Sequence, residues 1–319
     1  MKKFLTAVAI GLSALASHAQ DWPTKTVTLV VPVPPGGSTD QVARAVGPVL
    51  TTRLKQSFII DNKAGATGTI GATFVQRAAP DGYTFLVTSL GPLVITPHLL
   101  KGMQYDPLKD FDLITVAVQS PNVLVVPANS PHKTLMDIVN AAKAAPGKIN
   151  FASAGSGSGT HLNLEKFVAA ANIKVTHIPY KGTPEVLAAL LANAVDCYWS
   201  PISATMGMIN GGKLRALAVS TPKRSSLLPD VPTTGEAGVA NADAPLWFGV
   251  FSPAGVPPDV IAKISADVRK ALASPDVRQK LVAGGNDVMD MSPPEFAKFV
   301  REEMDSYGKV IRGAGIKPQ

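Results

Sequence analysis

The sequence contains one cysteine, few histidines and few aromatic residues, and each shortage excludes some classes of protein. Cys197 is the only cysteine in 319 residues, so no disulfide can form within the chain. The five histidines include no pair at i,i+4 spacing and lie beside no pair of cysteines, which argues against a metal site. We therefore predict that Cys197 is a small buried hydrophobe and that the protein holds neither a metal nor another cofactor.

Long apolar runs, basic runs and repeats are missing after the first twenty residues. No later segment has about 18 uninterrupted apolar residues, so we expect the mature protein to be soluble. No Lys/Arg run is interleaved with aromatic side chains, so nucleic acid is not an expected partner. The stretch "GSGSGTH" lacks the lysine of a P-loop and the spacing of G-x-G-x-x-G, and no G-x-S-x-G elbow occurs there, so we predict no enzyme activity.

The first residues are typical of a secretory signal. "MKK" is followed by the apolar run "FLTAVAIGLSALA" and then by "SHAQ", which offers small residues at the two key positions of a cleavage site. The run is too short to span a membrane, which needs about 20 residues. We predict a signal peptide over residues 1–19 and a mature protein in the periplasm.

The composition that remains is that of a globular protein of about two domains. Hydrophobic residues make up 46% of the chain, which is enough for a packed core. The formal charge of +7 falls to +5 for the mature chain, because Lys2 and Lys3 leave with the signal (7 − 2). This surplus favours anionic ligands mildly.

Strand and helix patterns alternate along the chain. "TVTLVVPV", "SFIIDN" and "PDGYTFLVTS" predict strands, and "TDQVARAVGPVLTTRL" and "IGATFVQRAA" predict helices, the first of which Pro48 should kink or end. The pattern restarts near residue 121 and closes with two long helices. We predict two α/β lobes, each a mainly parallel sheet flanked by helices, with lobe 1 formed by residues 20–120 and 250–319 and lobe 2 by 121–249. Crossings near 118–124 and 246–252 would form a hinge over a cleft.

The stretch "VPVPPGGSTD" is the first loop that could bind a ligand. Gly36 and Gly37 allow a tight turn, and Ser38 with Gln41 forms a capping box at the start of a helix. Such a helix start presents free N–H groups, which suit an anion. Asp40 would repel an anion; it could support the helix or the loop, or accept a hydrogen bond from water or a protonated ligand group, and we favour loop support.

The stretch "SAGSGSGTHLNLE" is the counterpart in the second lobe. Its glycines expose N–H groups and its hydroxyls supply donors, so two helix N-termini, one from each lobe, could hold a carboxylate. Two further strand ends could line the cleft, at Ser89, Leu90 and Gly91 and at Tyr180, Lys181 and Gly182. His161 could touch the ligand or serve as a structural hydrogen bonder, and for Asp196 a ligand role and a structural role are equally open.

Several motifs in fixed order resemble the Bug family of periplasmic solute receptors, which serve tripartite tricarboxylate transporters. They include "PPGGSTDQVAR", "IIDNKAGATGTIGA", "PDGYTFLVTS", "NFASAGSGSGTHL", "IPYKGTPE" and "GGKLRALAVSTPKRSSLLPDVPTTGEAG", and the similarity covers essentially the whole mature chain. The resemblance implies a two-lobed periplasmic binding protein, similar to type II, that binds a carboxylate between lobes joined by a hinge. It also implies a monomer that delivers its solute to membrane transporter subunits.

The ligand contacts implied by the resemblance fall on both lobes. They are Pro35, Gly36, Gly37, Thr39 and Asp40 on the first loop; Ser153, Ala154, Gly155, Ser156, Gly157, Thr160 and His161 on the second; and Tyr180, Lys181 and Gly182, with Asp196 nearby.

The chain departs from the family pattern in three places. Val33 stands beside the ligand where many members have an aromatic residue, and Thr96 stands where asparagine is usual. The unusual "DCYWSP" would put Cys197, Tyr198 and Trp199 near the cleft. A small residue at 33 with aromatic residues opposite predicts a bulkier ligand, such as an aromatic carboxylate.

We therefore predict a receptor for an organic carboxylate that serves a membrane transporter, with aromatic and dicarboxylic acids as the candidate ligands. Two alternatives remain at this point. A sensor module for a signalling system would have the same sequence features, and a secreted hydrolase would need a nucleophile with a base, which the sequence does not show.

Overall fold

The computed structural model describes residues 22–36, 38–155, 158–180, 182–313, 315 and 318. Two β-sheets organise these residues, and each sheet has helices on both faces. The strands are β1 (Val27–Val31), β2 (Phe58–Asn62), β3 (Thr84–Ser89), β4 (Phe111–Ser120), β5 (Asn122–Pro127), β6 (Asn150–Ser153), β7 (Thr176–Pro179), β8 (Cys197–Pro201), β9 (Leu214–Val219), β10 (Leu246–Pro253) and β11 (Asp287–Val288).

Ten α-helices connect and cover the strands in the described part of the chain. They are α1 (Ser38–Leu54), α2 (Thr69–Gln76), α3 (Thr96–Leu99), α4 (Leu135–Ala144), α5 (Gly159–Ala171), α6 (Thr183–Leu191), α7 (Ile202–Asn210), α8 (Pro258–Ala273), α9 (Pro275–Ala283) and α10 (Pro293–Gly313). A 3₁₀ turn at Ala66–Gly68 and a π-helical turn at Gly91–Ile95 precede α2 and α3. Helix α1 continues through Pro48, which therefore does not end it. No helix in the described ranges is long and apolar enough to cross a membrane.

Lobe 1 is built on a six-stranded sheet in the order β11-β4-β10-β3-β1-β2. The apolar residues of α8 recur every four positions, at Val260, Ile264, Val268 and Leu272, and all four pack with α1 on one face of the sheet. Helices α2 and α10 cover the other face, where Phe296 joins the core. Burial on both faces explains why β1 reads as a continuous apolar run.

Lobe 2 is built on a five-stranded sheet in the order β7-β6-β8-β5-β9. Helices α4 and α5 cover one face, and α6 and α7 cover the other. Strand β8 is central, so Cys197 and Trp199 point to one core and Tyr198 to the other, all fully buried. A central strand buries both its faces, so none of the three side chains is exposed to the cleft, although the Tyr198 hydroxyl reaches Thr183 at the start of α6. The prediction of Cys197 as a buried small hydrophobe is confirmed.

Both sheets are mixed, although the two-lobed α/β fold itself is as predicted. Strand β1 pairs in parallel with β2 and β3, whereas β10 runs antiparallel to β3 and β4. In lobe 2, β6 pairs in parallel with β7 and β8, whereas β5 runs antiparallel to β8 and β9. The antiparallel pairings arise at β4, β5 and β10, the strands that lead into or out of the crossings.

The chain crosses between the sheets twice, and the two crossings are hydrogen-bonded to each other. Only Pro121 separates β4 from β5, while residues 220–245 separate β9 from β10, which begins before the expected boundary at residue 250. The Asn122 N–H donates to Ser220 Oγ at 3.1 Å, and the Ser220 N–H donates to the Asn122 carbonyl at 2.9 Å. The Ala244 N–H donates to the Ser220 carbonyl at 2.9 Å. Asn122, Ser220 and Ala244 thus join the two connections at the junction of the lobes.

Candidate ligand-binding site between the two lobes

The loop between β1 and α1 is held in place by Asp40. Gly36 has φ +89°, a left-handed conformation that favours glycine, and its N–H donates to Asp40 Oδ2 at 2.8 Å. Asn62 Nδ2 donates to the other carboxylate oxygen at 2.9 Å, and Arg44 Nε donates to Oδ2 at 2.8 Å. Burial raises the pKa of Asp40, but the bonds from Arg44, Gly36 and Asn62 outweigh it and hold the pKa below its ordinary value. These contacts support the interpretation of Asp40 as a residue that holds the loop.

The other predicted residues of this loop differ in exposure. Pro35 and Gly36 are exposed, Val33 is half-buried against the core of lobe 1, and Thr39 is buried in the first turn of α1. The Val33 carbonyl accepts a hydrogen bond from Asn62 Nδ2 at 3.0 Å. Gly37 lies outside the described residues. The Gly36 N–H is occupied by Asp40, so it is not one of the free donors that the sequence suggests.

The loop between β6 and α5 organises its own hydroxyls around the helix start. Ser158 caps α5, because its Oγ accepts the His161 N–H at 3.2 Å. The Ala154 N–H donates to Thr160 Oγ1 at 3.0 Å, and Thr160 Oγ1 lies 3.0 Å from Ser158 Oγ. The N–H groups of Gly159 and Thr160 have no hydrogen-bond acceptor among the described residues. Within the described residues, the helix therefore presents two main-chain donors without an acceptor.

Ser153, at the end of β6, belongs to a polar chain behind this loop. Its Oγ lies 2.6 Å from His177 Nε2 and 3.2 Å from the Gly155 N–H. The His177 ring stacks on His161 at 4.0 Å between centroids and 10° between planes, and His161 Nε2 lies 3.3 Å from Glu165 Oε1. Burial, more than the neighbouring His161, lowers the pKa of His177 to about 4. The neutral ring can accept the Ser153 hydroxyl, which leaves Ser153 Oγ to accept the Gly155 N–H.

The loop after β7 is tied to the loop after β6. The Tyr180 N–H donates to the Ser153 carbonyl at 2.9 Å, and a Cβ on Gly155 would lie 3.4 Å from the Tyr180 carbonyl. Gly182 precedes α6, whose first residue, Thr183, shares a hydrogen bond of 3.0 Å with the buried Tyr198 hydroxyl. Tyr198 therefore buttresses this loop from the core, although its ring does not reach the cleft.

A cavity of about 160 Å³ opens between the lobes at the junction of the two crossings. It is lined from lobe 1 by the end of β3, the π-helical turn and α10, and from lobe 2 by the start of α5 and the end of β8. The lining residues are Leu90, Ile95, Asn122, Ser158, Gly159, Thr160, Pro201, Ala244, Pro245, Leu246 and Tyr307. None of them carries a formal charge. The unpaired N–H groups of α5 thus border a cavity whose walls are mainly apolar.

The structure brings only part of the predicted site to this cavity. Leu90 and Thr160 line it, whereas the neighbours Ser89 and Gly91 do not: Ser89 Oγ accepts the Gly91 N–H at 3.4 Å. The residues of the first loop are not among its lining. Ser156, Gly157 and Lys181 lie outside the described residues, as does the predicted signal peptide.

Of the two roles left open for Asp196, the structure supports the structural one. Its Oδ2 accepts the Asn150 N–H at 2.7 Å, at the beginning of β6, whereas the candidate loop follows the end of β6 at Ser153. Three residues of strand separate the two ends by about 10 Å. Asp196 therefore holds the amino ends of β6 and β8 together.

Sequence reasoning missed the residues that the crossings contribute. Asn122, Ala244, Pro245 and Leu246 line the cavity because β5 begins and β10 approaches at the junction of the lobes. The expected crossings near 118–124 and 246–252 were the available signal, since hinge segments border an interlobe cleft. Tyr307 had no such signal, because α10 returns to the junction from the far end of the chain.

A larger cavity of about 390 Å³ lies on the surface of lobe 1, between α2 and the segment after α3. None of the predicted ligand residues lines it, and lobe 2 contributes nothing to it. The smaller cavity is the better candidate site, because it joins both lobes and a helix N-terminus.

Comparison with known proteins agrees with the fold. The sequence profile described as "Tripartite tricarboxylate transporter family receptor" matches residues 42–316. Protein BugT of Bordetella pertussis is 32% identical over 323 residues, covering 99% of each chain. The structure of Rpa4515 from R. palustris with adipate is 34% identical, with a TM-score of 0.76 over 93% of this chain and 100% of that one. MatC from Rhodopseudomonas palustris with bound malate is 33% identical, with a TM-score of 0.72 over 91% of this chain and 100% of that one.

These matches confirm the resemblance drawn from the ordered motifs. The profile covers most of the chain, and the relatives align with it almost from end to end. The protein belongs to the family of tripartite tricarboxylate transporter receptors.

Proposed function

We propose that this protein captures an organic carboxylate between its lobes in the periplasm and delivers it to a membrane transporter. Two structural relatives contain carboxylates, adipate in one and malate in the other. The proposal includes export by a signal peptide over residues 1–19 and action as a monomer. Intact-mass measurement of the exported protein tests the first point, because cleavage there gives a chain that begins at Gln20.

The observation that carries the proposal is the pair of unpaired donors at the start of α5. The N–H groups of Gly159 and Thr160 have no acceptor among the described residues, and both residues line the interlobe cavity. A carboxylate there would also gain from the dipole of a 13-residue helix. Since none of the described lining residues carries a charge, their main-chain donors are the means of holding a negative charge that this part of the chain offers.

These contacts supply a large part of a useful receptor affinity. Each hydrogen bond to a charged group contributes about 1.5–3 kcal/mol. A micromolar dissociation constant corresponds to about −8 kcal/mol. Burial of the apolar part of the solute on cleft closure supplies the remainder, less the cost of ordering the lobes. A solute that contacts both lobes favours the closed population, which marks the loaded receptor for its transporter.

The site gives little support to a hydrolase. Ser153 and His177 are within hydrogen-bond distance, but Ser153 is fully buried. His177 stacks on His161, and in the described part of the chain no carboxylate accepts from it as the third group that orients a catalytic base. We therefore propose binding without turnover.

Thermal-shift and calorimetric titration of the mature protein with a panel of organic acids tests the proposal. We expect at least one acid to raise the melting temperature, and the corresponding primary amide, which lacks the charge, to leave it unchanged. Equal responses to acid and amide, or no response to any acid, would contradict carboxylate capture.

A further inference from the structure

Two buried polar side chains in the interlobe cavity have no hydrogen-bond partner among the described residues. Asn122 is 5% exposed and Tyr307 is 3% exposed, and both line the cavity. The main-chain groups of Asn122 are paired with Ser220, but its carboxamide makes no hydrogen bond in the described part of the chain. The Tyr307 hydroxyl makes none either. Their polar atoms are not among the fully buried side-chain atoms that lack a partner, which indicates that they keep access to the cavity, where a ligand atom can complete them.

The size and walls of the cavity define the body of that ligand. Leu90, Ile95, Pro245 and Leu246 supply apolar surface around a volume of about 160 Å³. An apolar cavity of about 150 Å³ in another protein accommodates benzene. A six-membered ring therefore fits this space, and its faces would meet aliphatic side chains.

The electrostatics of the cavity favour a neutral group beside Asn122 and Tyr307. Burial raises the pKa of Tyr307 well above its ordinary value, so its hydroxyl stays protonated and can donate. The neighbouring charges, Lys166 and Glu303, face each other at 3.9 Å and offer no free cation. A second carboxylate would lose its hydration against apolar walls, and none of the described lining residues is a counter-ion for it. A neutral substituent would keep its hydrogen bonds without that cost.

We propose, resting on the function proposed above, that the cavity selects ring-sized carboxylic acids with a neutral hydrogen-bonding substituent, which Asn122 and Tyr307 contact. The carboxylate lies at the N-terminus of α5, and the substituent lies at the other two groups. This inference is independent of Val33 and of the aromatic residues of β8, which do not face the cavity.

Calorimetric titration with 4-hydroxybenzoate, benzoate and malate tests the selection. We expect 4-hydroxybenzoate to bind most tightly and malate most weakly. Tyr307→Phe and Asn122→Leu should each weaken 4-hydroxybenzoate about three- to tenfold and leave benzoate nearly unchanged, because only the first acid contacts the deleted group. Tyr83→Phe is the matched control: it removes an exposed hydroxyl that contacts Thr24 in lobe 1, and it should change neither affinity.

Each other outcome is informative. Malate binding as tightly as 4-hydroxybenzoate would overturn the selection but leave carboxylate capture intact. Equal losses for benzoate and 4-hydroxybenzoate in both variants would show that Asn122 and Tyr307 support the fold rather than contact the substituent, and would overturn their assignment. Failure of every acid to bind the unmodified protein would overturn the proposed function as well.

Discussion

Lys166 Nζ and Glu303 Oε1 lie 3.9 Å apart although they belong to different lobes. Lys166 is on α5 and Glu303 is on α10, and their side chains are 13% and 11% exposed. Trp247 Nε1 donates to the other Glu303 oxygen at 3.2 Å. One turn before Lys166, Leu162 is buried in the apolar cluster of lobe 1. Helix α5 therefore carries the candidate ligand loop at its start and an interlobe contact along its length.

Lys166→Met should destabilise the protein, and more so at neutral than at acid pH. Burial raises the pKa of Glu303 above its ordinary value of 4.5. The attraction to Lys166 is the largest of the effects that lower this pKa. Without Lys166 the buried carboxylate has no cation, so we expect a loss of about 1–3 kcal/mol in the free energy of unfolding. A carboxyl whose pKa is higher in the folded than in the unfolded state lowers the free energy of unfolding as pH rises. The loss caused by Lys166→Met should therefore grow from acid to neutral pH.

Urea unfolding of matched variants checks this prediction. Glu303→Gln in the Lys166→Met background should restore part of the stability, because it removes the unpaired charge. Lys298→Met is the control, since Lys298 and Glu302 form an exposed pair at 3.8 Å on the same helix α10. Equal, pH-independent effects of Lys166→Met and Lys298→Met would show that the interlobe pair carries no special weight.

The free energy of unfolding should decrease as pH falls, because His177 must take up a proton. The unfolded chain binds a proton near pH 6.5, whereas burial lowers the pKa of the folded ring to about 4. Between these values the unfolded state binds more protons, so the free energy of unfolding falls as pH drops from 6.5 towards 4. The charged groups that face this ring are His161 and Glu165.

His177→Asn should flatten that pH dependence, because asparagine can still accept the Ser153 hydroxyl but does not titrate. Denaturant unfolding across this pH window measures the slope. His132→Asn, far from the stacked pair, should keep the wild-type slope. An unchanged slope in His177→Asn would assign the acid sensitivity to other groups.

Asp40→Asn should loosen the loop between β1 and α1. The asparagine keeps its size but loses the charge that attracts Arg44. If its oxygen keeps the bonds from Gly36 and Arg44, its NH₂ group faces the Asn62 amide, which is also a donor. We expect a loss of about 1–3 kcal/mol in the free energy of unfolding. Asp61→Asn is the control, since Asp61 pairs with Lys63 at 3.0 Å in a more exposed position, and such pairs contribute less than about 1 kcal/mol. Equal losses in the two variants would remove Asp40 from its role in the loop.

The local features of this fold could be predicted from sequence because they depend on neighbouring residues. The apolar run of β1, the four-residue spacing on α8 and the Gly36 turn are all short-range patterns. The restart of the strand-helix pattern near residue 121 likewise located the first crossing, which follows β4 at Pro121.

The interlobe cavity could not be predicted in the same way. Asn122 and Tyr307 line the same cavity only because α10 returns across the junction, and no local pattern encodes that arrangement. Tyr198 and Trp199 stand two and three residues after Asp196, in a motif that suggested a position near the cleft. Strand β8 is central, however, and buries both rings. The stacking of His161 on His177 joins two histidines that each look isolated in the sequence.

Gly159→Leu should block the interlobe site without unfolding the protein. A Cβ on Gly159 would meet no heavy atom within 4 Å, and the residue is outside the left-handed region, so a side chain is sterically allowed. The leucine would occupy part of a cavity of about 160 Å³ beside the two unpaired N–H groups. We expect every acid that binds the unmodified protein to lose about tenfold or more in affinity, a change of about 1.4 kcal/mol.

Gly207→Leu on α7 is the matched control, because a Cβ there also meets open space and Gly207 does not line the cavity. Calorimetric titration and thermal melting of both variants separate binding from folding. Full affinity in Gly159→Leu would place the carboxylate elsewhere, since the start of α5 could not then hold it.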